Sequence, residues 1–129
     1  MATSGPNLQL VNDRGYMTVD ISTAADGLSD VVSLKGHMLA AVQASTAWTA
    51  ANLTFLGCLD STAYHDVYTS TGGELTLTAT TSGRMITLSA DEQDRLRVFD
   101  KLKIRSGTTT LAVAQGAVRT LTLGLVPLK

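Results

Sequence analysis

Ala47-Trp48-Thr49-Ala50-Ala51-Asn52-Leu53-Thr54-Phe55 and Leu102-Lys103-Ile104-Arg105-Ser106-Gly107-Thr108 are the two stretches that decide how this chain folds. Each holds an extended, alternating run with polar punctuation, and neither contains a group suited to catalysis. Trp48, the only Trp, stands just before the alternating run that starts at Leu53. Distinctive residues placed in this way serve the core and the loops of a β-sandwich.

The rest of the chain repeats the pattern. Nineteen residues are Thr and only two are Pro, a balance that favours extended structure, because a β-branched side chain suits a pleated, half-exposed face. In Tyr16-Met17-Thr18-Val19-Asp20-Ile21, the residues Met17, Val19 and Ile21 share one side. Glu74-Leu75-Thr76-Leu77-Thr78 and Arg84-Met85-Ile86-Thr87-Leu88 flank a Thr-Ser-Gly turn. Leu102 and Ile104 alternate with Lys101, Lys103 and Arg105, and residues 118–126 alternate again. Gly57 interrupts the strand after Trp48 and predicts a bulge or a close backbone approach. Turn signals fall between the runs at Asp26-Gly27, Thr71-Gly72-Gly73, Ser82-Gly83 and Ser106-Gly107.

Eight or nine short strands at this spacing predict an all-β fold, an antiparallel β-sandwich of jelly-roll-like form. Helix is scarce. Ser89 followed by Glu92 has the spacing of a capping box, so residues 89–96 read equally as a capped helical turn or a polar crossover loop. Residues 1–15 are rich in Asn, Gly and Ser, with one apolar patch at Leu8, Leu10 and Val11. They form an extended N-terminal arm on a single sandwich domain spanning residues 16–129.

Composition narrows the function classes. Charged residues make up only 16%, against about 25% in typical domains. So thin a charge suits a protein packed against neighbours better than a free monomer. Net charge is −1, and there is no basic cluster of the kind that tracks nucleic acid or an anionic membrane. The N-terminus lacks the pattern of a signal peptide, and no apolar run approaches the ~20 residues of a membrane span. Synthesis in a cytoplasm is expected. The single cysteine, Cys58, lies between Leu56 and Leu59 and reads as a small buried hydrophobe.

Few residues offer chemistry. His65-Asp66, with Asp60 five residues before the His, is the one cluster with a catalytic flavour. Its spacing fits neither zinc nor calcium motifs, and a hairpin loop is the simpler reading. There is no nucleophile elbow and no phosphate loop. We therefore expect no enzyme, no cofactor and no metal. Trp48, Tyr16, Tyr64 and Tyr68 are available for a sugar platform, but aromatic content is only 5%, and packing at the sandwich edge and along one strand is the favoured reading. Lys101, Lys103 and Arg105 put three cations on one strand face. That pattern protects an edge from mis-pairing and also suits an acidic partner.

The order of Leu34-Lys35-Gly36, the Trp48 run, Tyr64-His65-Asp66-Val67-Tyr68, the Lys103-Ile104-Arg105-Ser106-Gly107-Thr108 run and Gln115-Gly116-Ala117-Val118-Arg119-Thr120-Leu121-Thr122-Leu123 resembles small β-sandwich virion proteins of tailed bacteriophages. The resemblance spans roughly residues 28–125, and the chain departs from the pattern at Cys58 and at Gly72-Gly73. It implies a structural role on the virion: a protein that decorates or cements the capsid, or the base of a head fibre. The implied partners are the phage major capsid protein and sister copies, with a trimer favoured. The residues expected to meet them are Leu8, Leu10 and Val11 of the arm and Lys101, Lys103 and Arg105 of the basic strand. The same fold on a tail or baseplate, or a carbohydrate-binding module of a host-recognition fibre, are the alternatives.

Overall fold

The computed structural model describes residues 9–11, 14–34, 36–60, 62–78 and 82–128. The strands in chain order are β1 (Gln9–Val11), β2 (Arg14–Ile21), β3 (Val32–Ser33), β4 (His37–Ala44), β5 (Leu53–Cys58), β6 (His65–Asp66) and β7 (Met85–Thr87). A helix, α1 (Ala90–Leu96), precedes β8 (Lys101–Ser106) and β9 (Arg119–Pro127). One sheet has the order β1-β2-β9-β4-β7 and the other β3-β8-β5-β6, with every pairing antiparallel.

Pairing is nested along the chain. β5 pairs with β6, β4 with β7, β3 with β8 and β2 with β9. A long hairpin folded over on itself gives this pattern, with successive strands passing between the two sheets. That is the jelly roll, with β1 added at one edge. Residues 9–11 of the predicted arm are thus part of the five-stranded sheet.

The strand periodicity explains the core. Met17, Val19 and Ile21 on β2 and Leu121, Leu123 and Leu125 on β9 point inward. They meet Leu53 and Phe55 on β5 and Leu102 and Ile104 on β8 in one buried cluster. Phe55 is fully buried, and truncating a buried aromatic to Ala costs about 3–5 kcal/mol. β4 carries Leu39, Val42 and Ala44 inward, with an irregularity between Leu39 and Ala41 that breaks its alternation. Trp48 and Cys58 are both buried. The Trp48 indole N–H has no hydrogen-bond partner among the described residues.

α1 is a capped helix. The Ser89 amide donates to Glu92 Oε1 at 2.8 Å and the Glu92 amide donates to Ser89 Oγ at 3.2 Å, while Leu96 turns into the core. At the opposite end of the sandwich, Gln115 is buried among loops. Its Nε2 donates to the Thr49 carbonyl at 3.1 Å and to Ser106 Oγ at 2.8 Å, and its Oε1 accepts from the Thr49 amide at 2.8 Å. Gly107 follows with φ 98°, where a Cβ would lie 2.5 Å from the Leu111 carbonyl oxygen, so only glycine fits.

Candidate partner-binding surface

The basic strand is not a three-cation surface. Arg105 is only 8% exposed. Its Nη2 pairs with Asp66 Oδ1, and its Nη1 donates to Glu74 Oε2 at 3.2 Å, Thr54 Oγ1 at 3.3 Å and Thr109 Oγ1 at 3.0 Å. The Thr109 amide also donates to Glu74 Oε1 at 3.1 Å. The physical reason is local. β6 lies beyond β5 in the same sheet, and the turn that follows it brings Glu74 back, so the Arg105 side chain reaches across Thr54 to two carboxylates. Arg105 thereby ties β6, that turn and the loop after β8 together, and it is a paired clamp on the sheet's outer face, not a free surface cation. Lys101 and Lys103 remain half-exposed, and the Lys103 ammonium lies 4.8 Å from the centre of the Tyr64 ring.

Of the predicted arm residues, Leu8 lies outside the described residues. Leu10 and Val11 belong to β1, whose backbone pairs Leu10 with Gly15 and Val11 with Arg14. Their side chains lie outside the described part.

The structure does bring Asp60, His65 and Asp66 to one place. They line a hollow of about 260 Å³ with Gly57, Leu59 and Phe99. Both carboxylates already have partners. Asp60 Oδ1 accepts the amides of Thr62 and Ala63, each at 3.0 Å, and these bonds hold its pKa down at about 2. Asp66 is turned to Arg105. Among the described residues no group of three or more His, Cys, Asp or Glu side chains could hold a metal ion, and no helix is long and apolar enough to cross a membrane. Gly57 shows close approach without a bulge. The β5–β8 register runs through it unbroken, and the Phe99 ring lies 2.5 Å from where its Cβ would be. Trp48 is 5% exposed, Tyr64 is half-buried beside Lys103, and Tyr16 and Tyr68 are the half-exposed rings.

A second hollow of about 240 Å³ adjoins the first, with Leu59 and Phe99 shared between them. Leu34, Val98 and Leu128 line it. The sandwich end that carries the β3–β4, β5–β6 and α1–β8 connections and the end of β9 therefore holds two joined depressions. Leu59 is 71% exposed, Val98 65% and Leu128 44%. These three open aliphatic side chains share the second hollow with His37, Arg97 and Asp100, and exposed apolar groups rimmed by polar ones make it the candidate partner site. Sequence reasoning passed over Val98 and Leu128. The signal was present in Arg97-Val98-Phe99, where apolar residues follow the last turn of a helix and precede a strand, with no alternation to bury Val98.

Comparison with known protein families, with curated proteins and with solved structures finds no match to this chain.

Proposed function

We propose that this chain is a structural virion protein of a tailed bacteriophage that decorates or cements the capsid through protein–protein contacts. The observation that carries this reading is the groove at one end of a jelly roll, where the exposed Leu59, Val98 and Leu128 stand beside His37, Arg97 and Asp100. Viral capsid domains share this architecture with lectins and cupins, so the fold agrees with the role without specifying it. Charge is scarce on this chain, and its most buried cation is used internally. A surface of that kind recognises a partner by shape and apolar contact. A docked aliphatic side chain in a dry pocket contributes about 1.5–3 kcal/mol, and repetition over a shell multiplies a modest contact. The partner is then the phage major capsid protein, the place is the capsid surface, and synthesis is in the host cytoplasm.

The sugar-binding alternative rests on Tyr68 and Tyr16, the half-exposed rings, since Trp48 is buried. The test is rebinding of the purified protein to bare capsids, with electron microscopy of particles with and without it. Extra density at regular lattice positions, lost in Leu59→Asp/Val98→Asp with the fold intact by circular dichroism, is the expected result. Capsids that ignore the wild-type protein would overturn the reading and bring the tail or baseplate role forward.

A further inference from the structure

The two outer faces of the sandwich differ in charge. The four-stranded sheet carries Lys101, Lys103, Arg105 and Asp66 outward. On the five-stranded sheet, Met17, Val19, Ile21, Leu121, Leu123 and Leu125 point inward, so their neighbours in sequence face out. The register sets Tyr16, Gly124 and Ala41 in one row across β2, β9 and β4, and Thr18, Thr122 and Gln43 in the next. Among the described side chains of these strands, Asp20 is the one charge facing out, and it accepts the Thr120 hydroxyl at 2.7 Å.

The relief of this face is also paired. Tyr16 is 49% exposed and stands up on β2. Beside it, Gly124 has no side chain and Ala41 has only a methyl, close enough that a Cβ on Gly124 would lie 3.2 Å from it. A knob therefore flanks a hollow in the same row, with β9 running between β2 and β4.

We infer that this face binds a second copy of the chain about a two-fold axis running along β9. Rotation about that line lays Tyr16 of each copy over Ala41 of the other and sets Gly124 against Gly124. The contact is then self-complementary, as an isologous interface requires, and sheets packed face to face keep their strands within about 30°. Among the described side chains of β2, β9 and β4, little charge stands between this face and its own copy, since Asp20 is already bonded to Thr120. Three strands of eight or nine residues and two short edges give a projected area of about 500 Å² per copy. The total of about 1,000 Å² is where specific interfaces begin. This inference stands apart from the capsid reading, because it uses a different surface. It also names a two-fold pair where the resemblance implies a trimer.

The test is light scattering across a dilution series. Wild-type protein is expected to run at twice the 13.5 kDa chain mass. Thr122 meets itself on the proposed axis, so Thr122→Arg and Thr122→Glu are each expected to be monomeric, and an equal mixture of the two to restore the dimer. Tyr16→Ser, at the knob, is expected to weaken the dimer at least about tenfold and serves as the second variant if either Thr122 change fails to fold. A wild-type monomer or trimer, a dimer indifferent to Thr122→Arg and Tyr16→Ser, or a mixture that stays monomeric would overturn the inference.

Discussion

Replacing Arg105 with Met should cost about 3 kcal/mol, and the structure indicates why the figure is not larger. Removing one member of a buried ion pair costs about 3–5 kcal/mol, because the charge left behind has lost its partner. Here the remaining groups are Asp66, with 30% of its side chain exposed, and Glu74, with 13%. Asp66 can rehydrate in place. Glu74 keeps the Thr109 amide and hydroxyl as donors but little water. The low end of the range therefore applies, and for a chain of this size about 3 kcal/mol lowers Tm by roughly 10 °C. Urea denaturation followed by circular dichroism measures it, with the midpoint falling and the slope unchanged. The combined variant Arg105→Met/Glu74→Gln tests the cause. Neutralising the stranded carboxylate should return about 1–2 kcal/mol relative to Arg105→Met alone, a coupling that independent sites do not show. A loss under about 1 kcal/mol for Arg105→Met, or strict additivity in the pair, would refute the clamp.

Other outcomes follow from single contacts. Gln115→Ala leaves the Thr49 and Ser106 groups without their partner and should cost about 2–3 kcal/mol in a thermal melt; a loss below about 1 kcal/mol would show the bridge to be replaceable. Trp48→Phe removes a buried N–H that has no acceptor among the described residues, so its change should stay within about 1 kcal/mol despite the lost ring area, and a loss beyond about 3 would contradict that. Gly57→Ala drives a methyl into the Phe99 ring, which should cost about 1–3 kcal/mol and reshape both hollows, read as a lower melting temperature together with weaker capsid rebinding. Asp60 is held ionised, with its pKa lowered from 3.8 to about 2. Its contribution is therefore complete above about pH 4 and lost as pH falls through about 2. Amide exchange at Thr62 and Ala63 should accelerate over that window; protection unchanged down to the lower limit would show that the carboxylate does not hold the loop.

The strands that were legible in sequence are those with clean alternation over long runs. β2, β8 and β9 fall where Met17/Val19/Ile21, Leu102/Ile104 and Leu121/Leu123/Leu125 place them. β4 was not legible, because His37-Met38-Leu39-Ala40-Ala41-Val42-Gln43-Ala44 loses its period at the irregularity and is filled with Ala, which favours helix. Residues 74–78 alternate as a strand should and bury Leu75 and Leu77, yet they join the sheet only through isolated bridges at Glu74 and Leu77. The strand that contains Arg105 was legible, but the fate of its charge was not. Its partners are 31 and 39 residues away in sequence, and nothing local signals a fold that brings them back. The groove was hidden for the same reason, since Leu59, Val98 and Leu128 meet only where two connections and the end of β9 converge.

The placement of β9 has a consequence for how the molecule is made. It is the last of the described strands in chain order and yet the middle strand of the larger sheet, hydrogen-bonded on both sides by strands synthesised long before it. Asp20 waits 100 residues for Thr120. Until residues 119–127 arrive, β2 and β4 have no neighbour between them, and half of the core has no lid. The larger sheet therefore cannot close until β9 has been made. Closure at such sequence distance is intrinsically slow, and a copy cut short before β9 has no partial sandwich to fall back on.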